Sequence, residues 1–204
     1  MPTQTFFRLP EEKRTRLTEA AWKEFTAVRL ADASINRIVR DARIPRGSFY
    51  QYFGGKEDLF LLLLDTMYDA ALDLAAGALD EAKGDLFDAV PLVFERLFSD
   101  GSRRELVRGM ELLRRNDTMD MVQLLMDRAR PGPQLESLLR RADVSNFRRL
   151  DEAFVRDVVT LLIYNLMFAM REALCGGDLA AEAEALRARV DIVRQGSIKK
   201  EALS

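Results

Sequence analysis

Histidine is absent from this 204-residue chain, and cysteine occurs once, as Cys175. Without an imidazole the chain has no histidine general base and no histidine ligand for zinc. One cysteine excludes an intrachain disulfide, which suits a reducing compartment, and we expect Cys175 to be a small buried residue. The residues show neither metal-ligand spacing nor a phosphate-binding loop, so they do not indicate an enzyme, a metal or a cofactor.

Proline and glycine are also scarce, with 6 and 11 residues, and this sparse punctuation predicts long helices. No segment shows convincing period-two alternation, so an all-α protein is expected. The first residues lack the apolar core of a signal peptide. The run VVTLLIYNLMFAM, residues 158–170, lies between Asp157 and Arg171 and is shorter than the roughly 20 residues that cross a bilayer. A cytoplasmic protein is the expectation.

Charge is unevenly distributed along the chain, although the net charge is only −2. Residues 1–60 hold 11 basic and 8 acidic residues, whereas residues 61–204 hold 20 and 25. Residues 33–56 contain four arginines and one lysine but only one acidic residue, Asp41. A basic N-terminal module joined to an acidic body indicates a local site for a polyanion.

Local signals predict three helices in this basic module. Pro10 is a good first-turn residue for a helix that ends near residue 28. Ser34 is placed to cap a second helix over residues 35–42. Pro45 opens a third, short helix that Gly54 and Gly55 end. Two short helices joined by a tight turn behind a longer one predict a helix-turn-helix unit.

The third helix, PRGSFYQYF over residues 45–53, has the composition of a DNA-reading helix. It carries no acidic residue, and the small residues Gly47 and Ser48 allow close approach of its start. Arg46 can make a bidentate contact to guanine, and Gln51 can read adenine. An isolated arginine at position 46 would be an ordinary solvated residue. Arg46 indicates DNA reading only together with Gly47, Ser48 and Gln51 on the same helix.

Aromatic residues divide the same helix into two kinds of position. Phe49 and Phe53 lie at i and i+4, so they are expected to anchor the helix to the core. Tyr50 and Tyr52 carry hydroxyls that can reach phosphate oxygens. An ordinary half-buried position is the alternative for both tyrosines.

The stretch SINRIVRDARIPRGSFYQYFGGKEDLF, residues 34–60, resembles the N-terminal DNA-binding domain of the TetR family of bacterial transcriptional regulators. The matching positions are Ser34, Ile38, Ala42, Gly47, Ser48, Phe49, Tyr50, Tyr52, Phe53, Lys56, Glu57 and Leu59. The resemblance implies backbone contacts from Ser34, Tyr50, Tyr52 and Lys56, and places at or near base edges for Arg46, Gly47, Ser48 and Gln51.

Arg43 departs from the family pattern, which has a glycine in the turn between the two short helices. If that position needs a left-handed backbone, arginine costs about 1 kcal/mol more than glycine. An arginine there could offset this cost by reaching phosphate, so Arg43 is included among the predicted DNA contacts.

The rest of the chain is predicted to be a helical body, which gives two domains, residues 1–54 for DNA binding and 55–204 for effector binding and dimerisation. A long helix is expected from about residue 55 to residue 83, and the last two helices from 151 to 174 and from 179 to 194. The TetR resemblance implies that these last two helices pair with their symmetry mates in a homodimer, so that two recognition helices read a palindrome of double-stranded DNA.

A cavity for a small hydrophobic or amphipathic effector is also predicted in the body. Its candidate lining residues are Phe94, Met110, Met121, Leu125, Tyr164, Asn165 and Phe168. Asn165 is either a ligand contact or a polar group of the dimer interface. The expected function is that of a repressor released from its operator by the effector. The alternative is a DNA-binding activator, or a regulator controlled by a protein partner, without a functional small-molecule pocket.

Overall fold

The computed structural model describes residues 2–99, 104–116 and 133–199. Within these residues the regular elements are helical, and β structure is limited to one isolated bridge between Phe147 and Ile198. The α-helices are α1 (Gln4–Phe7), α2 (Glu11–Ala27), α3 (Ile35–Asp41), α4 (Arg46–Tyr52), α5 (Lys56–Glu81), α6 (Leu86–Ser99), α7 (Arg104–Arg115), α8 (Pro133–Leu139), α9 (Glu152–Leu174) and α10 (Leu179–Ser197). A short 3₁₀ helix, Leu30–Asp32, precedes α3. The prediction of an all-α protein is confirmed.

The first helices begin at the residues that the local signals predict. Pro10 holds the position before α2, whose first turn carries two glutamates. The Ser34 hydroxyl accepts a hydrogen bond from the Arg37 amide and thereby caps α3. Pro45 precedes the first residue of α4. α1 was not predicted, because its four residues carry no helical periodicity.

The chain folds into two compact units. The first contains the described residues up to Ala70 together with α7, and the second contains the described residues from Ala71 to Ser99 and from Pro133 onward. α5 therefore begins in one unit and ends in the other. Leu59, Phe60 and Leu63 in the first half of α5 are buried in the core of the first unit. The predicted boundary between residues 54 and 55 precedes this shared helix, whereas the two units divide within the helix, after Ala70.

Phenylalanine rings pack against one another in the core of the first unit. Phe25 of α2 meets Phe60 of α5 edge to face, with ring centroids 5.3 Å apart. Phe49 and Phe53, from α4 and the residue after it, are both fully buried with centroids 5.4 Å apart. The predicted anchoring of the short third helix by these two rings is confirmed.

α7 belongs to this same core although it lies about fifty residues further along the chain. Its Leu112 is fully buried among the residues of the first unit. A Cβ at Gly109 would collide with the side chain of Met67, so the close approach of α7 to α5 requires glycine. Arg108 of α7 donates to the carboxylate of Glu19 on α2 at 2.8 Å. These contacts couple sequence-distant segments and are not visible in local patterns.

α6, α9 and α10 form the core of the second unit, in which Phe87, Phe94, Leu162 and Leu186 are buried. α9 buries one side only. Its outer side exposes five large apolar residues: Leu161, Ile163, Tyr164, Met167 and Phe168. By length and composition alone α9 could cross a membrane, but one such helix is weak evidence of a membrane span. It packs against α6 and α10 on one side and leaves the opposite side uncovered.

Cys175 is exposed, which corrects the expectation of a buried cysteine. It follows the last residue of α9, at the point where the chain turns toward α10. Gly176, with φ of +98°, provides the left-handed backbone of that turn. The cysteine thus lies in a surface connection and not on an inward helix face.

Candidate nucleic-acid interface

α4 presents one face to the core and the other to solvent. Arg46, Gly47 and Gln51 are exposed, Tyr50 is 49% exposed, and Ser48 is half-buried. The exposed face carries no acidic residue. A Cβ added at Gly47 meets no atom of the described residues within 4 Å, so they leave the space in front of the helix start open. An exposed arginine without acidic neighbours on α4 is compatible with a polyanion, and the individual contacts to bases stay predictions.

The two tyrosines of α4 have different environments. Tyr50 is exposed, and its ring meets Phe49 edge to face at 5.5 Å. Tyr52 is only 4% exposed, and the Lys13 ammonium lies 5.8 Å from its ring centroid. Residues two apart on a helix point roughly 200° away from each other, so neighbouring elements can cover one and leave the other free. A phosphate contact from Tyr52 is limited to the small part of its surface that is accessible.

Ser34 and Lys56 already have partners within the first unit. The Ser34 hydroxyl caps α3, and its backbone N–H donates to Glu24 Oε1 at 2.7 Å. Lys56 Nζ donates to the backbone carbonyls of Ala31 at 2.7 Å and Ala33 at 3.2 Å. Lys56 thus ties the start of α5 to the segment before α3. Any phosphate contact by these two residues would be additional to this role.

An ion pair between the buried Glu24 and the exposed Arg37 joins α2 to α3 and was not predicted. Glu24 is 8% exposed, and Arg37 Nε donates to both of its carboxylate oxygens at 3.0 and 2.8 Å. The Arg37 hydrogen bonds lower the pKa of Glu24, against the opposing effect of burial. A sequence signal did exist, because Glu24 falls on the buried stripe that includes Leu17 and Ala21.

Arg43 has φ of +54°, the left-handed conformation that the family's glycine would suit. Its N–H donates to the Arg40 carbonyl at 3.1 Å, and the Ile44 N–H donates to the Val39 carbonyl at 3.0 Å. This pair of bonds is the Schellman arrangement that ends a helix with a left-handed residue. The condition attached to the Arg43 prediction, a left-handed backbone, is therefore met.

The Arg43 side chain is exposed beside an open groove of about 670 Å³ in the first unit. The groove is lined by Arg16, Glu19, Ala20, Lys23, Arg40, Asp41, Arg43 and Arg108, five of which are basic and two acidic. Lys23 donates to Asp41 at 2.7 Å, which lowers the pKa of that carboxyl. Arg43 therefore adds its charge to a region that already has an excess of positive charge.

The predicted effector-lining residues lie in separate environments. Phe94 is buried in the core of the second unit, whereas Tyr164 and Phe168 are 54% and 48% exposed on the outer side of α9. Met110 lies on α7 and so belongs to the first unit. Within the second unit, α9 turns Tyr164 and Phe168 away from the core that contains Phe94. An effector site lined by these residues stays a prediction.

Asn165 is half-buried, and its amide donates to the Leu161 carbonyl one turn earlier at 2.8 Å. The other two candidates, Met121 and Leu125, lie outside the described residues. The described part of the second unit contains a cavity of about 310 Å³, lined by Lys83, Asp85, Phe87, Asp143, Asn146, Phe147, Arg194 and Ile198. Half of these eight lining residues are charged, which differs from the apolar cavity predicted. Among the described residues no group of three or more metal-binding side chains occurs.

Comparison with known proteins shows which family part of the first unit resembles. Residues 17–63 match the model of the family described as bacterial regulatory proteins, tetR family. The N-terminal domain of this chain belongs to the TetR family. The match includes α3, the turn at Arg43 and α4, which are the elements that carried the resemblance in sequence. α1 and the first residues of α2 precede it.

Relatives of this TetR-family domain are themselves described as regulators. The HTH-type transcriptional regulator HbdR of Aromatoleum sp. (strain CIB) is 37% identical over 62 residues, which cover 30% of this chain and 27% of HbdR. The HTH-type transcriptional repressor SCO4008 of Streptomyces coelicolor is 34% identical over 101 residues, 46% of this chain and 52% of that protein. The matches thus span between about a quarter and about half of these relatives.

Similarity of fold extends through most of the chain. SmeT of Stenotrophomonas maltophilia, in its complex with triclosan, has a TM-score of 0.63 and 19% identity, with 92% of each chain covered. At this identity the likeness shows a shared fold. Because 92% of this chain is covered, the shared fold includes residues of the second unit as well as of the first.

Proposed function

We propose that this chain is a homodimeric DNA-binding transcriptional regulator that reads a palindromic duplex with α4. The observation that carries the proposal is the division of α4 between an exposed face without acidic residues and a face locked into the core by Phe49 and Phe53. A helix held in this way can enter the major groove without being free to rotate. Such a protein acts in the bacterial cytoplasm.

Each exposed residue of the interface has a proposed role. Arg46 reads guanine through two parallel hydrogen bonds, and Gln51 reads adenine. Gly47 and Ser48 permit close approach, and Tyr50 and Arg43 contact the phosphate backbone. The remaining proposed backbone contacts are made by Ser34, Tyr52 and Lys56, whose present hydrogen bonds or burial leave them less surface for this purpose.

The homodimer is proposed to form through α9 and α10. The outer side of α9 exposes Leu161, Tyr164 and Phe168, which fall at i, i+3 and i+7 on one stripe, and Ile192 of α10 is 70% exposed. Contiguous exposed apolar surface of this kind marks an interaction site. A second copy of the chain would cover it through a two-fold interface and bring together two recognition helices.

The test begins with duplexes that the wild-type protein selects from a randomised DNA library. Affinity for the selected duplex is then measured against salt for Arg46→Ala and for the control Arg140→Ala, which removes an equally charged, exposed arginine of the second unit. Arg46→Ala should lose about 5- to 150-fold on the selected duplex and relax selectivity at one position. Undiminished strength and selectivity in Arg46→Ala would refute the assignment of α4.

We also propose that a small hydrophobic or amphipathic effector releases the protein from DNA. SmeT, whose fold this chain shares, is described in complex with triclosan. An effector acts only through a higher affinity for the conformation that binds DNA poorly. A compound that raises the melting temperature of the protein and weakens its binding to the duplex would support the proposal. If no compound has both effects and a protein partner controls DNA binding instead, the alternative is favoured, a regulator without a functional small-molecule pocket.

A further inference from the structure

The C-terminal end of the recognition helix is held by residues from the start of the chain. We name residues 3–9 the N-terminal strap. The backbone N–H of Thr3 donates to the Tyr52 carbonyl at 2.9 Å, and the Thr3 hydroxyl donates to the Gln51 carbonyl at 2.7 Å. One residue of the strap therefore satisfies two carbonyls in the last turn of α4.

Those carbonyls need partners from outside the helix. The last four carbonyls of any α-helix lack intrahelical donors. In α4 the final intrahelical bond of this kind runs from the Phe53 N–H to the Phe49 carbonyl at 2.9 Å, which leaves Gln51 and Tyr52 open. α4 has only seven residues, and so short a helix is not stable without tertiary contacts.

Apolar contacts reinforce these hydrogen bonds. Phe6 of the strap is 2% exposed, and its ring centroid lies 5.0 Å from that of Phe53, the residue that follows α4. The Leu9 side chain packs against the same core, and the Leu9 N–H donates to the Phe6 carbonyl at 3.1 Å. The strap is thus seated in the domain by a buried ring and does not simply trail along its surface.

We infer that the N-terminal strap positions the recognition helix, with Thr3 as the positioning residue. Thr3 touches no base in this scheme; it acts through Gln51 and Tyr52, whose side chains belong to the proposed interface. The strap lies outside residues 17–63, so it is not part of the matched family pattern. The inference rests on the proposed function, since α4 must read DNA for its placement to affect recognition.

The test uses the full-length chain, a duplex selected by the wild-type protein and an unrelated duplex of equal length. Thr3→Val removes the hydroxyl bond. Thr3→Pro removes both bonds without backbone strain, because Thr3 already has φ of −78°. Thr3→Ser keeps both donors, and Thr5→Val makes the same change at an exposed strap position whose side chain makes no hydrogen bond to α4.

Affinity for the selected duplex is expected to fall about threefold in Thr3→Val and about tenfold in Thr3→Pro, while affinity for the unrelated duplex changes by less than about twofold. Thr3→Ser and Thr5→Val should match the wild type. Hydrogen exchange at the Tyr52 and Phe53 amides should accelerate in Thr3→Pro, because the last turn of α4 would fray.

Two outcomes would overturn the inference. One is retention of selective binding by Thr3→Pro, and the other is an equal loss on both duplexes with a lower melting temperature, which would show a general folding role. If the wild-type protein selects no duplex at all, the proposed function fails instead, so the two failures are distinguishable.

Discussion

Replacing Arg43 by glycine should make the protein more stable and its DNA binding weaker. Arg43 has a left-handed backbone, and glycine avoids the penalty of about 1 kcal/mol that a side chain incurs there. For a chain of this length that gain raises the melting temperature by about 2–4 °C. Loss of one phosphate contact in each protomer of a dimer should reduce the salt dependence of binding by about 2 in log–log slope.

A second left-handed residue supplies the matched control. Lys83 has φ of +52° and ends α5 with the same pair of hydrogen bonds, from its own N–H to Asp80 and from the Gly84 N–H to Leu79. Lys83→Gly should therefore stabilise the protein by a similar amount without changing DNA affinity. Calorimetry and fluorescence anisotropy at several salt concentrations measure the two effects.

Arg43→Ala separates the effect of backbone conformation from the effect of charge, because alanine keeps the backbone penalty and removes the charge. It should leave the melting temperature nearly unchanged and reduce the salt slope as Arg43→Gly does. Unchanged melting temperatures in both glycine variants would refute the reasoning on backbone conformation. An unchanged salt slope in Arg43→Ala would refute the phosphate contact.

Three further predictions concern the Glu24–Arg37 ion pair, the start of α4 and the outer side of α9. The pKa of Glu24 is lowered from its ordinary value of 4.5, so its pairing with Arg37 stabilises the fold above about pH 4.5 and this contribution is lost as the pH falls through the lower folded-state pKa. Glu24→Gln should therefore unfold at a lower urea concentration than the wild type at pH 7, and the difference between the two proteins should shrink in acid. Among the described residues Gly47→Ala has no neighbour to strike, so it should gain up to about 1 kcal/mol of helix stability, yet it should weaken binding to the selected duplex if Gly47 approaches the bases. Phe168→Glu should convert a dimer into a monomer by light scattering, because it buries a charge in each half of a symmetric interface, whereas Ser137→Glu on α8 should leave the dimer intact.

Local chemistry explains why the helix-turn-helix could be predicted. Ser34 and Pro45 mark helix starts through interactions within one turn, so their effect does not depend on the remainder of the fold. The spacing of Phe49 and Phe53 similarly identified the buried side of α4. The environment of Tyr52 could not be read in this way, because Lys13 and other residues outside α4 decide how much of its ring is covered.

The body of the protein shows the limits of periodicity more clearly. The pattern of α9 predicts a helix with more than one apolar side, but it does not say which side meets α6 and which stays uncovered. Hydrophobic character predicts that Phe94 and Tyr164 line one cavity, whereas the structure places Phe94 in the core and leaves Tyr164 54% exposed. Hydrophobic character alone is common to a core, a cavity and an interface.

The sequence by itself determined the helical class, the bounds of the helix-turn-helix and the side of α4 that faces the core, because caps, turn residues and i, i+4 spacing act over a few residues. Only the tertiary structure decided that α7 joins the first unit, that Glu24 pairs with Arg37 and that Thr3 holds the end of α4. These contacts join residues from 13 to more than 80 positions apart. Which of many possible partners a side chain meets at such separations depends on how whole helices pack, and no short stretch of sequence contains that information.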